Sequence, residues 1–137
     1  MRETDVVIVG AGPAGITAAL YLKRANASFL WLEKSAPGGK LLNISEVDNY
    51  PGLPHQDGFS LATNLLKSAY DAGAKIETLG VEQIQKEGDT YIISTNKEEI
   101  RCKAVLVATG LANIPTIPGE KEFFGKEIGR ASCRERV

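Results

Sequence analysis

The chain has 137 residues, 43% of them hydrophobic and 24% charged, with a formal net charge of −1. That is the size and balance of one globular domain, and the repeated Val/Ile/Leu runs exclude disorder. No run approaches the roughly 20 apolar residues of a membrane-spanning helix, and no basic stripe points to nucleic acid. Met1-Arg2-Glu3-Thr4-Asp5 is a charged lead into a strand rather than a signal peptide. Two cysteines 31 positions apart make neither a disulfide framework nor a metal cluster, so a soluble, cytoplasmic, single-domain protein is the expectation.

Residues 4–9, closing at Gly10, form a continuous apolar run that predicts a strand covered on both faces of a parallel sheet. Residues 13–25 predict a helix, because Ile16, Ala19 and Leu20 recur at helical spacing and Pro13 stands where a missing N–H costs nothing. Residues 28–33 predict a second buried strand, which completes a βαβ unit. Residues 35–57 are punctuated by Pro37, Gly38, Gly39, Pro51, Gly52 and Pro54 and predict a long loop, uncommon unless it has a function. Asp57 or Gly58 opens a second helix to about Ala72, with Phe59, Ala62, Leu65, Leu66 and Ala69 on one face. A strand at 74–79 follows, then three short strands near 81–86, 90–95 and 98–102, with turns at Gly88-Asp89 and Asn96-Lys97. Residues 104–110 predict one more apolar strand, central in the sheet, before the extended Ile114-Pro115 and Pro118-Gly119.

Gly10-Ala11-Gly12-Pro13-Ala14-Gly15 is a G-x-G-x-x-G that follows a predicted strand and opens a predicted helix, the context in which the pattern carries meaning. Gly10 allows the tight turn, Gly12 lets backbone N–H groups and the helix N-terminus approach a pyrophosphate, and Gly15 lets helix and strand pack closely. A ligand-free glycine turn would read the same. Glu33 separates the two readings: it ends the second strand, 18 residues beyond Gly15, where a carboxylate accepts both hydroxyls of an adenosine ribose. A carboxylate there repels a 2′-phosphate, so this site is not expected to hold NADP. Other chemistry-bearing residues take plainer roles. His55 reads as a solvated turn residue, Cys102 as a half-buried inert thiol, and Trp31 and Phe29 as core.

The hexapeptide at the extreme N-terminus resembles the FAD site of the two-dinucleotide-binding flavoproteins. Gly38-Gly39-Lys40-Leu41, followed by Glu46-Val47-Asp48-Asn49-Tyr50-Pro51-Gly52, is similar to the thioredoxin reductase branch, the class II pyridine nucleotide-disulfide oxidoreductases. Ala108-Thr109-Gly110 and Ile117-Pro118-Gly119-Glu120 also match that family, and the likeness runs from residue 4 to residue 126. The resemblance implies an α/β fold, a Rossmann-like three-layer FAD/NAD(P)-binding domain whose parallel sheet carries an antiparallel β-meander insertion, here incomplete. It implies that Gly10, Gly12, Pro13, Ala14 and Gly15 hold the pyrophosphate and Glu33 the ribose. Gly38, Gly39, Lys40, Leu41 and Asn49 would line the ribityl and isoalloxazine side, Val81 would meet the adenine through its backbone, and Thr109 with Gly110 would sit near the flavin. It implies electron flow from NADPH to FAD to a Cys-x-x-Cys and on to thioredoxin, in a homodimer. A dithiol-free relative, the ferredoxin–NADP-type flavin reductase, and a non-catalytic dinucleotide-binding module are the alternatives.

Residues 128–137 change character, with three arginines in ten residues against three in the preceding 127. The string is similar to a common short-read sequencing adapter translated in frame to a stop, with Glu127 as a hybrid codon; a basic solvated tail is the other reading. The expectation is therefore an incomplete FAD domain over residues 1–126 and a non-native tail over 127–137. Without Ile128–Val137 the formal charge is −3 and Cys133 leaves the chemistry. Phe123-Phe124-Gly125-Lys126 begins to match the segment that precedes the family's dithiol. No catalytic residue is expected in this chain, which should be inactive alone.

Overall fold

A computed structural model describes residues 1–111 together with Pro118 and Gly119. The elements are β1 (Arg2–Val9), α1 (Pro13–Arg24), β2 (Phe29–Glu33), a 3-10 turn (Gly39–Asn43), α2 (Gly58–Asp71), β3 (Ile76–Thr78), β4 (Val81–Glu87), β5 (Thr90–Thr95) and β6 (Glu99–Val107). They build one six-stranded sheet in the order β3-β2-β1-β6-β5-β4. β1 pairs in parallel with β2, placing Val7 beside Leu30, and with β6, placing Val7 beside Val105; β2 pairs in parallel with β3. β4, β5 and the first half of β6 form the antiparallel meander.

Alternate residues of the central strands feed two cores. Ile8 and Trp31 face the helices and pack with Ile16 and Ala19 of α1 and Ala69 of α2. Val7, Val9 and Leu32 point the other way, into a cluster completed by Leu79, Ile93, Ile100 and Cys102. No helical residue belongs to that second cluster, so the meander is the layer that covers the far face of β1 and β2. Helices, parallel sheet and meander are the three layers of the expected Rossmann-like α/β fold.

Helix starts follow from local chemistry. Pro13 occupies the first position of α1, whose Gly12 cap offers no side chain, while Lys23 and Arg24 complement its C-terminal dipole. For α2, Asp57 is the cap and Gly58 the first helical residue. Asp57 Oδ1 accepts the Ser60 N–H at 2.7 Å and Oδ2 accepts the Ser60 hydroxyl at 2.8 Å, which holds the Asp57 carboxyl below its ordinary pKa.

Two expectations change. The 35–57 segment is not loop throughout: it contains the Gly39–Asn43 turn and a bridge between Val47 and Gln56. The strands expected at 98–102 and 104–110 are one, β6, ending at Val107. Lys103, which falls between the two expected ranges, sits at an exposed strand position where its Nζ pairs with Asp5 at 2.8 Å, so the charge never enters a core. β6 does lie between β1 and β5, yet beyond Cys102 it pairs with β1 alone, and Leu106 and Val107 are 41% and 65% exposed. Ile114-Pro115, Phe123–Lys126 and the expected junction near Lys126 lie outside the described residues.

Candidate functional site

The C-terminal ends of β1, β2 and β6 converge on residues 10–15, the usual position of a ligand crevice in an open parallel sheet. Gly10 turns the chain with φ +112°, and a Cβ on it would collide with the carbonyl of Ala108. A Cβ on Gly15 would collide with the carbonyl of Gly10, so α1 reaches the sheet only because that position is glycine. Hydrogen bonds then fix the loop from several sides. Gly10 N–H donates to Leu32 O at 2.8 Å, Gly38 N–H to Ala11 O at 2.7 Å and Ile16 N–H to Gly12 O at 2.9 Å. Ala108 N–H donates to Val9 O at 2.8 Å, which brings the backbone of Ala108 and Thr109 against Gly10.

The first turn of α1 carries no capping side chain and no acidic residue, and Pro13 and Ala14 are exposed. Its free N–H groups and helix dipole make an anion-receiving end. Gly39 closes the opposite side: a Cβ there would stand 3.0 Å from Gly12 Cα. The half-buried Glu33 carboxylate lies beside this turn, with Oε2 accepting the Ala11 N–H at 2.8 Å and Oε1 the Ser35 N–H at 3.1 Å. A donor-rich, side-chain-free cradle next to a carboxylate fits a diphosphate joined to a ribose.

Among the residues expected to take part, the structure brings Gly10, Gly12, Pro13, Ala14, Gly15, Glu33, Gly38, Gly39 and Thr109 together, while a Cβ on Gly110 would meet nothing within 4 Å. Lys40 and Leu41 follow in the 3-10 turn. Val81 opens β4 just beyond Leu79, whose N–H donates to Glu33 O at 3.1 Å, so its backbone runs past the carboxylate end of β2. Asn49 is exposed, and among the described residues no hydrogen bond joins its side chain to the glycine turn. His55 is exposed, with φ +56° and Nδ1 3.7 Å from Glu46 Oε1. Cys102 is fully buried rather than half-buried, and burial pushes its thiol pKa up, away from reactivity.

Two further residues matter and were not singled out by the sequence. Gly58 lies against the 3-10 turn, where a Cβ would collide with Leu41 O; a glycine directly after a capping aspartate was the available signal. Trp31 is a core residue, as expected, and its indole N–H also donates to Gly10 O at 3.0 Å. Two shallow surface hollows lie at the other end of β2 and β3, around Lys23, Phe29, Gly73 and Lys75. Among the described residues no group of three His, Cys, Asp or Glu is placed to hold a metal, and no helix is long and apolar enough to cross a membrane.

The family described as pyridine nucleotide-disulphide oxidoreductase matches residues 4–135. Thioredoxin reductase of Bacillus subtilis is 35% identical over 125 residues, 90% of this chain and 40% of that protein. Thioredoxin reductase of Treponema pallidum is 40% identical over 134 residues, covering 96% and 44%. The crystal structure of Lactococcus lactis thioredoxin reductase superposes with a TM-score of 0.79 at 37% identity, over 88% of this chain and 40% of that one. The chain spans about 40% of the length of the curated relatives it matches.

Proposed function

The chain belongs to the pyridine nucleotide-disulphide oxidoreductase family, and from that premise we propose that it is the N-terminal FAD-binding part of a thioredoxin-disulfide reductase. The observation that carries this reading is the glycine cradle between α1 and Gly39 with the Glu33 carboxylate beside it. The first-turn N–H groups of α1 receive the pyrophosphate, Glu33 receives the ribose hydroxyls of the adenosine, and the backbone at Val81 borders the adenine. Gly38, Gly39, Lys40, Leu41 and Asn49 line the ribityl and isoalloxazine side, with Thr109 and Gly110 closing over the site. Bound FAD supplies two-electron transfer between a nicotinamide and a disulfide. This chain's contribution is to bind and orient that group, with no catalytic residue of its own.

The parent protein takes its electrons from NADPH, passes them through a Cys-x-x-Cys to thioredoxin, works in the cytoplasm and is a homodimer. Residues 1–126 are the native part of this reading and 127–137 a translated adapter. Two measurements test it. The source gene is read across the codon for Lys126: a frame continuing into Cys-x-x-Cys upholds the disulfide reductase, and a frame without cysteines moves the activity to a flavin reductase. A genomic stop after Val137 overturns the adapter reading and leaves a binding module. FAD is also titrated into the purified chain, where saturable quenching of flavin fluorescence is expected and its absence overturns the cofactor assignment.

A further inference from the structure

We infer that Trp31 is a positioning residue of the phosphate-binding turn, holding one peptide group jointly with Glu33; this rests on the FAD reading above. Trp31 and Glu33 are two apart on β2 and so share a face. A trans peptide points its C=O and N–H in opposite directions. In the peptide joining Gly10 to Ala11, Trp31 Nε1 donates to the carbonyl at 3.0 Å and Glu33 Oε2 accepts the N–H at 2.8 Å. One strand therefore grips both ends of the peptide plane that begins the turn.

The grip on the carbonyl has no substitute. Gly10 O points into the junction with α1, against Gly15, and among the described residues Trp31 is its one hydrogen-bond donor. The indole is itself 1% exposed, set among Ile8, Ile16, Ala19 and Ala69, so its N–H has no water to turn to. The Glu33 grip is conditional, because the same carboxylate is the group that receives the ribose hydroxyls. When Glu33 shares itself with the ribose, Trp31 keeps the Gly10–Ala11 plane, and with it the N–H groups of the turn, aimed at the pyrophosphate.

The test replaces Trp31 by benzothienylalanine, which keeps the bicyclic shape and puts sulfur where the N–H was, with Trp31→Phe as the genetically encoded companion. Thermal unfolding of the isostere should fall by a few degrees, because the buried Gly10 carbonyl loses its donor, and FAD, followed by flavin fluorescence, should bind about tenfold more weakly than to the wild type. In the ligand-free chain, hydrogen exchange at the Ala11 amide should quicken while that at Val7 and Ile8 stays as it was. An isostere that binds FAD with unchanged affinity overturns the inference, as does a loss of stability in both variants with affinity intact. If the wild-type chain binds no FAD, the cofactor reading is what fails, and exchange at Ala11 alone then decides whether Trp31 orders the turn.

Discussion

Gly12 and Gly39 face each other across the site, yet the segments that carry them are held in opposite ways. Residues 10–15 are fastened by backbone bonds to β2, to the segment at Gly38 and within α1, with the Gly10–Ala11 peptide taken at both ends by β2 side chains. Residues 39–56 are largely exposed; the Val47–Gln56 bridge ties the segment to itself, and its anchors to the fold are Gly39 against Gly12 and the backbone of Leu41 and Ile44 against Gly58 at the start of α2. Preorganised N–H donors suit a pyrophosphate, whose charge and shape are constant. A loosely tied second wall suits a group that must be admitted and then enclosed.

The largest effect expected from this contrast is that of Gly15→Ala. Its methyl group would enter the space of the Gly10 carbonyl in a junction with no room to relax, so unfolding in urea should show a loss of about 3 kcal/mol, the upper end of overpacking costs. Glu33→Gln removes the charge at the proposed ribose position and one of the two oxygens that accept the Ala11 and Ser35 N–H groups. FAD affinity should fall about tenfold, about 1.4 kcal/mol, while urea unfolding moves much less. Gly58→Ala also meets backbone, Leu41 O and Ile44 O, so relief requires the exposed 39–56 segment to move away from α2 as a unit. A loss of about 1 kcal/mol is expected, and a value equal to that of Gly15→Ala would mean the 39–56 segment is as rigid as the turn.

The smallest effect is a pH dependence at the point where α2 meets the loose segment. Asp57 is held below its ordinary pKa by the Ser60 N–H, then by the Ser60 hydroxyl, and Glu77 is lowered by Arg2. A carboxyl with a lowered folded pKa contributes stability that is present above its unfolded pKa and is lost as pH falls through the folded value. Asp57→Asn retains a capping acceptor that does not titrate. Melting curves taken from neutral to acid pH should therefore fall less steeply for the variant than for the wild type, and equal slopes would remove Asp57 from the acid response.

The parts of the fold legible in the sequence were those in which local pattern and burial agree. The apolar runs that became β1 and β2, the Pro13 start of α1 and the turns at Gly88 and Asn96 needed no partner to be recognised. The division of β6 at Lys103 is different: period and polarity speak of neighbours along the chain, whereas the place of this charge in a continuous strand depends on Asp5 of β1, almost 100 residues away. Cys102 misled in the same way: a strand-end position suggests exposure, and only the meander folding over β1 buries it.

By itself the sequence determined that a glycine turn joins a buried strand to a helix and that a carboxylate ends the next strand, because glycine's reach and the strand's twofold period are local properties. Tertiary structure alone decided that Gly39 stands against Gly12, that Gly58 seats Leu41, and that Trp31 shares a peptide with Glu33. Those relations depend on the direction of single N–H and C=O groups after the sheet, the helices and the connecting segment have packed, and no pattern of residue types along a chain encodes a direction in space.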